Sequence, residues 1–120
     1  MMTSDISFWG NYSKKQIIAA WNKCDTIEGK DPNVWRLDYA GALIHYECIG
    51  AHVMFGWDLV RIKPKRLGGT NDDSNLIIMH WRNARFKRLT GTYPTWRSVV
   101  TVNEKKTKNK EEIREWTIEN

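Results

Sequence analysis

The sequence predicts an α+β fold, and three observations carry that expectation. Near the start, Ile17, Trp21 and Cys24 lie at i, i+4 and i+7 on one apolar stripe, with Ile18 beside them. Two short apolar runs, Trp57 to Ile62 and Leu76 to Met79, flank a loop rich in glycine and acidic residues. A basic segment with helical spacing, His80 to Leu89, follows the second run directly.

Taken in order, Ser13 is placed to cap a helix over about residues 14–24. Glu28-Gly-Lys-Asp-Pro-Asn33 has turn chemistry and ends it. Trp35, Leu37 and Tyr39 alternate as in a strand, Gly41 and Gly50 punctuate, and Ala42 to Cys48 suits a strand or a short helix. Trp57 to Ile62 reads as a strand. Pro64 cannot donate to a ladder, and Gly68-Gly69 with Asn71-Asp-Asp73 makes a surface loop. Leu76 to Met79 is a short buried strand. In the helix that follows, Trp81, Ala84, Arg85 and Arg88 share a spacing, and Gly91 is a stop just past it. Tyr93 to Val102, with Trp96, Val99, Val100 and Val102, is one more strand. Residues 103–120 alternate in charge around Ile113 and Trp116, and are expected to form a charged, solvated C-terminal helix.

A chain of 120 residues is one domain's worth, and 41% hydrophobic with 28% charged residues is ordinary globular composition. No apolar run approaches 18 residues and the opening MMTSDISFWG has no apolar signal core, so no membrane partner and an intracellular location are expected. Cys24 and Cys48 have neither metal-ligand spacing nor a disulfide framework and read as reduced thiols. Seven tryptophans spread over the chain favour a small core filled by large rings, with one or two as candidate interface anchors.

The charge is localised. Residues 1–60 carry a net −2, residues 61–97 carry nine Lys/Arg against two Asp/Glu for a net +7, and residues 98–120 are neutral. A concentrated basic block points to a polyanionic partner, nucleic acid first. A solvated surface that merely keeps the chain dispersed is the plainer alternative.

The run from Gly56 to Lys87 resembles the HNH, or ββα-metal, nuclease motif, which reads approximately G-W-E-x-D-H-I-x-P-x-S-x-G-G-x-D-D-x-x-N-L-Q-x-L-H-W-x-x-N-x-x-K. Trp57, Pro64, Gly68, Gly69, Asp72, Asp73, Asn75, Leu76, Trp81 and Lys87 stand at its scaffold positions. Upstream, Asp31-Pro32, Arg36-x-Asp38 and Gly41-Ala-x-Ile44 are similar to the N-terminal flank of a small HNH subgroup. The resemblance covers about residues 28–90, and the length of the chain makes 1–120 a single expected domain. The expected ββα core (strand, Gly-Gly loop, strand, helix) lies at about 28–90; the residue patterns above add an N-terminal helix at about 14–24, an extra strand or hairpin, and an extension at about 92–120.

The resemblance does not extend to the chemistry. Such a nuclease needs a divalent metal to polarise the scissile phosphate and a neutral histidine as general base. Where the family has the Asp-His pair that supplies a ligand and the base, this chain has Val60-Arg61. Valine offers a cation no lone pair, and a guanidinium cannot accept water's proton. The second ligand position, on the helix, is Ala84; the retained Asn75 is implied to hold the loop. Asp58, Asn83, His52 and His80 are the neighbours available as substitutes, with His80 expected to cap the helix or pack. No catalytic residue, metal or cofactor is therefore expected.

Arg61 can instead bind a phosphate directly, joined by Lys63, Lys65, Arg66, Arg82, Arg85, Lys87 and Arg88. The plainer alternative for Arg61 is an internal pair with Asp58 or Asp38. The expected function is inactive nucleic-acid binding, DNA before RNA, with little sequence specificity. A second reading is a protein-binding inhibitor, adaptor or assembly subunit, since this family is common in viruses and mobile elements. A third is an active nuclease with a rearranged site.

Overall fold

Ser13 opens the first helix, α1 (Lys14–Trp21), with a reciprocal capping box: its side chain accepts from the Gln16 N–H, and the Gln16 side chain accepts from the Ser13 N–H. The computed structural model describes residues 12–90, Tyr93, and two strands at 95–102 and 110–117. α1 stops at Trp21, three residues before the expected end, because the chain tightens there. The N–H groups of Lys23 and Cys24 reach back three residues rather than four, to Ala20 and Trp21. Arg36 closes this end of the helix: its Nη1 donates to the Trp21 and Cys24 carbonyls at 3.2 and 2.9 Å while its Nε donates to that of Pro32 at 2.8 Å. A guanidinium at a helix C-terminus is also favoured by the helix dipole.

Strands β1 (Trp35–Leu37) and β2 (Leu43–His45) form an antiparallel hairpin. The ambiguous stretch after Ala42 is therefore both things in turn, a strand followed by a 3₁₀ turn over Tyr46–Cys48. β3 (Trp57–Arg61) pairs antiparallel with β4 (Leu76–His80), Trp57 opposite His80 and Arg61 opposite Leu76. Helix α2 (Trp81–Thr90) continues from β4 without a linker.

The period-two alternation of β3 and β4 sends side chains to two cores. Trp57 and Ile78 join Ile17, Ala20, Trp21 and Ile44, with Leu59 and Tyr46 packed against them. Met79 joins Ala84 of α2, with Tyr39, Val60, Ile62 and Ile77 alongside. Of the seven tryptophans, Trp21 and Trp57 are buried and tilt against each other at 5.4 Å, whereas Trp35 and Trp81 are half-buried. The indole N–H groups of Trp21, Trp57 and Trp81 donate to the carbonyls of Pro32, His45 and Val53, so each of these three rings packs with its polar edge satisfied.

One expectation is overturned. The C-terminal helix is absent where the chain is described: β5 (Thr95–Val102) pairs antiparallel with β6 (Lys110–Thr117). β5 is rich in Thr and Val and needs a ladder partner. The register sets Trp96 opposite Trp116, Arg97 opposite Glu115 and Val99 opposite Ile113. Alternating charges that suit helical i, i+4 pairs serve equally as cross-strand pairs, and a partner strand decides between them. Gly91, residues 103–109 and the last three residues lie outside the described residues. The observed class is thus α+β, with two helices and small two-stranded antiparallel sheets among the described residues.

Two buried polar residues join the end of β1 to the β4–α2 junction. Asp38 is 2% exposed; its Oδ1 accepts from the N–H groups of Ala40 and Ala42 at 2.9 and 2.8 Å. Its Oδ2 accepts from the His80 N–H and the Asn83 Nδ2 at 2.9 and 2.8 Å. Burial pushes this carboxyl above the usual carboxylate range, and the four donors pull it back. His80 is also 2% exposed. Its Nδ1 accepts from the Arg82 N–H and its Nε2 lies 2.7 Å from the Met54 carbonyl. Nε2 must donate there, so the ring is the neutral Nε2–H tautomer, and burial accordingly holds its pKa below the ordinary 6.5.

Both groups give stability tests. Asp38→Asn keeps the shape but turns an amide N–H₂ toward N–H donors, and is expected to cost about 2–4 kcal/mol in chemical denaturation. His80 makes stability fall as pH drops below about 6.5, since the unfolded chain then takes a proton that the folded one refuses. The slope reaches at most about 1.4 kcal/mol per pH unit for this one proton, and His80→Gln removes it.

Candidate nucleic-acid interface

The loop between β3 and β4 is built around Asn75. Its Oδ1 accepts from the Lys63 N–H at 2.8 Å, and its Nδ2 donates to the carbonyls of Lys63 and Thr70 at 3.1 and 2.8 Å. Its own carbonyl accepts from the Ile62 N–H. Gly68 has φ +94°, and a Cβ on Gly69 would stand 1.7 Å from the Lys63 carbonyl oxygen. Both glycines are therefore required, the first for a left-handed turn and the second for close backbone approach. The result is a pinned loop with a 3₁₀ turn at Lys65–Leu67 and the side chains of Lys63, Lys65 and Arg66 exposed.

Val60 and Ala84, from β3 and α2, come together. They lie in the second core with Met79, and Ala84 is fully buried. The neighbours weighed as substitutes are engaged elsewhere or set apart. Asn83 is fully buried and donates to Asp38, and His80 is spent on the helix start and Met54. His52 stacks on Trp81 with ring centres 4.8 Å apart. Among the described residues no group of three or more His, Cys, Asp or Glu side chains is gathered.

Arg61 pairs with neither Asp38 nor Asp58. Its Nε donates to the Asn71 Oδ1 at 2.7 Å and its guanidinium lies over the Tyr12 ring at 5.7 Å. As the next residue after Val60 on the strand it projects to the opposite face, away from Ala84. The expected basic set is therefore distributed rather than clustered. Arg66 and Lys87 face each other from loop and helix, and burial, with Arg66 second, lowers the Lys87 ammonium. Arg88 lies near Asp58, whose carboxyl is raised by burial and lowered by Arg88 and then His52. Arg85 and Arg88 are exposed, and Arg82 is half-buried at the helix start.

Three contributors carry little or no local signal. Asp38 ties two elements together, and its only mark in the sequence is its place in the Arg-x-Asp pair. Lys23 reaches from beyond α1 to the Leu76 carbonyl at 2.7 Å, anchoring the start of β4. Tyr12 positions Arg61; no local pattern marks either of these two. Neither cysteine is in a disulfide; the Cys24 thiol donates to the Ala20 carbonyl, and burial pushes its pKa up to about 12. No helix among the described residues is long and apolar enough to cross a membrane. Comparisons of the chain with protein-family models, with curated proteins and with solved structures give no match.

Proposed function

We propose that this chain is a catalytically inactive HNH-fold protein that binds nucleic acid, DNA before RNA, through its basic loop and helix with little sequence specificity. The observation that carries the reading is the packing of Val60 and Ala84 into one apolar cluster. These are the positions at which the resemblance puts metal ligands, and neither offers a lone pair. Around them the scaffold residues keep structural work: Asn75 pins the loop, Gly68 and Gly69 shape it, and Trp81 anchors α2 to Val53.

The cations supply the binding term. Lys63, Lys65 and Arg66 are exposed on the loop, with Arg85 and Arg88 exposed on α2 and Arg82 and Lys87 beside them. Arg61 keeps its remaining guanidinium N–H groups for a phosphate once Nε is spent on Asn71. Contacts of this kind fix position on a strand and carry no sequence information. A protein partner is the second reading, favoured by Val53 and Met54, each about half exposed (50% and 51%) on a loop held by Trp81 and His80.

Duplex binding measured by anisotropy across a salt series tests the proposal. Log affinity is expected to fall linearly with log salt, by about 0.9 for each phosphate neutralised. Lys65→Ala with Arg66→Ala lowers that slope by about 1.8, equally on unrelated sequences. Absence of salt-dependent binding to every duplex, single-stranded and RNA probe would contradict it.

A further inference from the structure

A cleft of about 270 Å³ lies against β3, lined by Tyr12, Ile17, Ile49, Asp58, Leu59 and Arg88. Its volume equals roughly nine waters at about 30 Å³ each, room for a single planar ring system rather than a large ligand. Ile17, Ile49 and Leu59 make apolar walls. Tyr12 is held at the rim by Arg61. Two charged groups of opposite sign face the same space.

Asp58 is the informative one. It is half-buried, and among the described residues its carboxylate accepts no hydrogen bond; only the charges of Arg88 and His52 reach it. An ionised carboxylate is an acceptor with two oxygens side by side, so its complement is an edge with two adjacent N–H donors. Among the common bases, guanine presents that edge, through N1–H and the 2-amino group. Adenine and the pyrimidines set at least one acceptor against it. Arg88 adds a cation suited to a phosphate, and Tyr12 adds an aromatic surface for a base.

We propose that this cleft is a guanine-nucleotide subsite, in which Asp58 reads the base edge, Arg88 holds the phosphate and Tyr12 packs on the ring. The ligand is a free nucleotide or a guanine turned out of a bound strand. The inference builds on the nucleic-acid reading and deepens it: a protein indifferent to sequence along the phosphates acquires a preference for one base. It gives Arg61 a second task, as the support of Tyr12.

The test is a titration of the full chain with guanosine 5′-monophosphate and adenosine 5′-monophosphate, followed by amide chemical shifts. The oligonucleotides TTGTT and TTTTT form the second arm. The guanine member of at least one pair is expected to bind about tenfold tighter or more, and the arm that discriminates identifies the source. Asp58→Asn removes the discrimination, while Arg88→Gln weakens the monophosphate and leaves guanosine unchanged. An unchanged tryptophan melting curve shows that each variant is folded. Equal binding within both pairs, no binding in either, or a preference that survives Asp58→Asn overturns the subsite. The duplex salt slope, measured on the same samples, reports separately on the basic loop and helix.

Discussion

The carboxylate of Asp38 is the contact on which the arrangement depends. Its two oxygens collect four N–H groups from three places: the turn between β1 and β2, the last residue of β4, and the first turn of α2. A buried carboxylate without such donors would be costly. With them it fixes where α2 starts, and the start of α2 decides which of its residues meet β3. Ala84 is the next residue after Asn83, so the hydrogen bond from Asn83 to Asp38 also sets Ala84 against Met79, beside Val60. Arg36, two residues earlier in β1, does the matching work at the end of α1. One short stretch of chain thereby orders both helices.

That geometry holds together without any ionic ligand. The loop around Asn75 is held by backbone groups and by two glycines, none of which needs a metal. With Val60 and Ala84 in the core, the region between strand and helix gains apolar contact where the resemblance implies ionic ligands. The positive charge stays on the rim, on the exposed lysines and arginines of the loop and of α2. Arg61 belongs to neither the core nor a simple rim, since Asn71 and Tyr12 hold it against the opposite face of β3.

Much of this fold is legible in the amino-acid sequence. Ser13 announces α1, the glycine pair announces the loop, and the apolar runs announce β3 and β4, because each is a local signal read over a few residues. The C-terminal segment is not legible in the same way, because Glu111, Glu112 and Glu115 carry the same spacing for a helix as for a strand with a charged partner. Only the pairing with β5 separates the two. At the site, the side chains of Val60, Arg61 and Ala84 declare by their chemistry alone that they are no metal ligands, yet sequence groups all the cations on one face. Alternation along β3 sends Arg61 elsewhere, and Arg88 comes near enough to Asp58 to lower its carboxyl, an approach set by tertiary packing. The role of Asp38 spans 45 residues to Asn83, and the Arg-x-Asp pair that marks it locally does not reveal that partner.

The central claim is that binding persists where metal chemistry does not. The most direct measurement follows one supercoiled plasmid in one set of tubes, with Mg²⁺, Mn²⁺, Ni²⁺ or Zn²⁺ or with chelator, scored for both retardation and nicking. Retardation is expected to be at least as strong with chelator as with each metal, with no nicking above that of an Arg61→Ala control. Metal-dependent nicking that tracks the purified protein, or retardation that requires the metal, would contradict it.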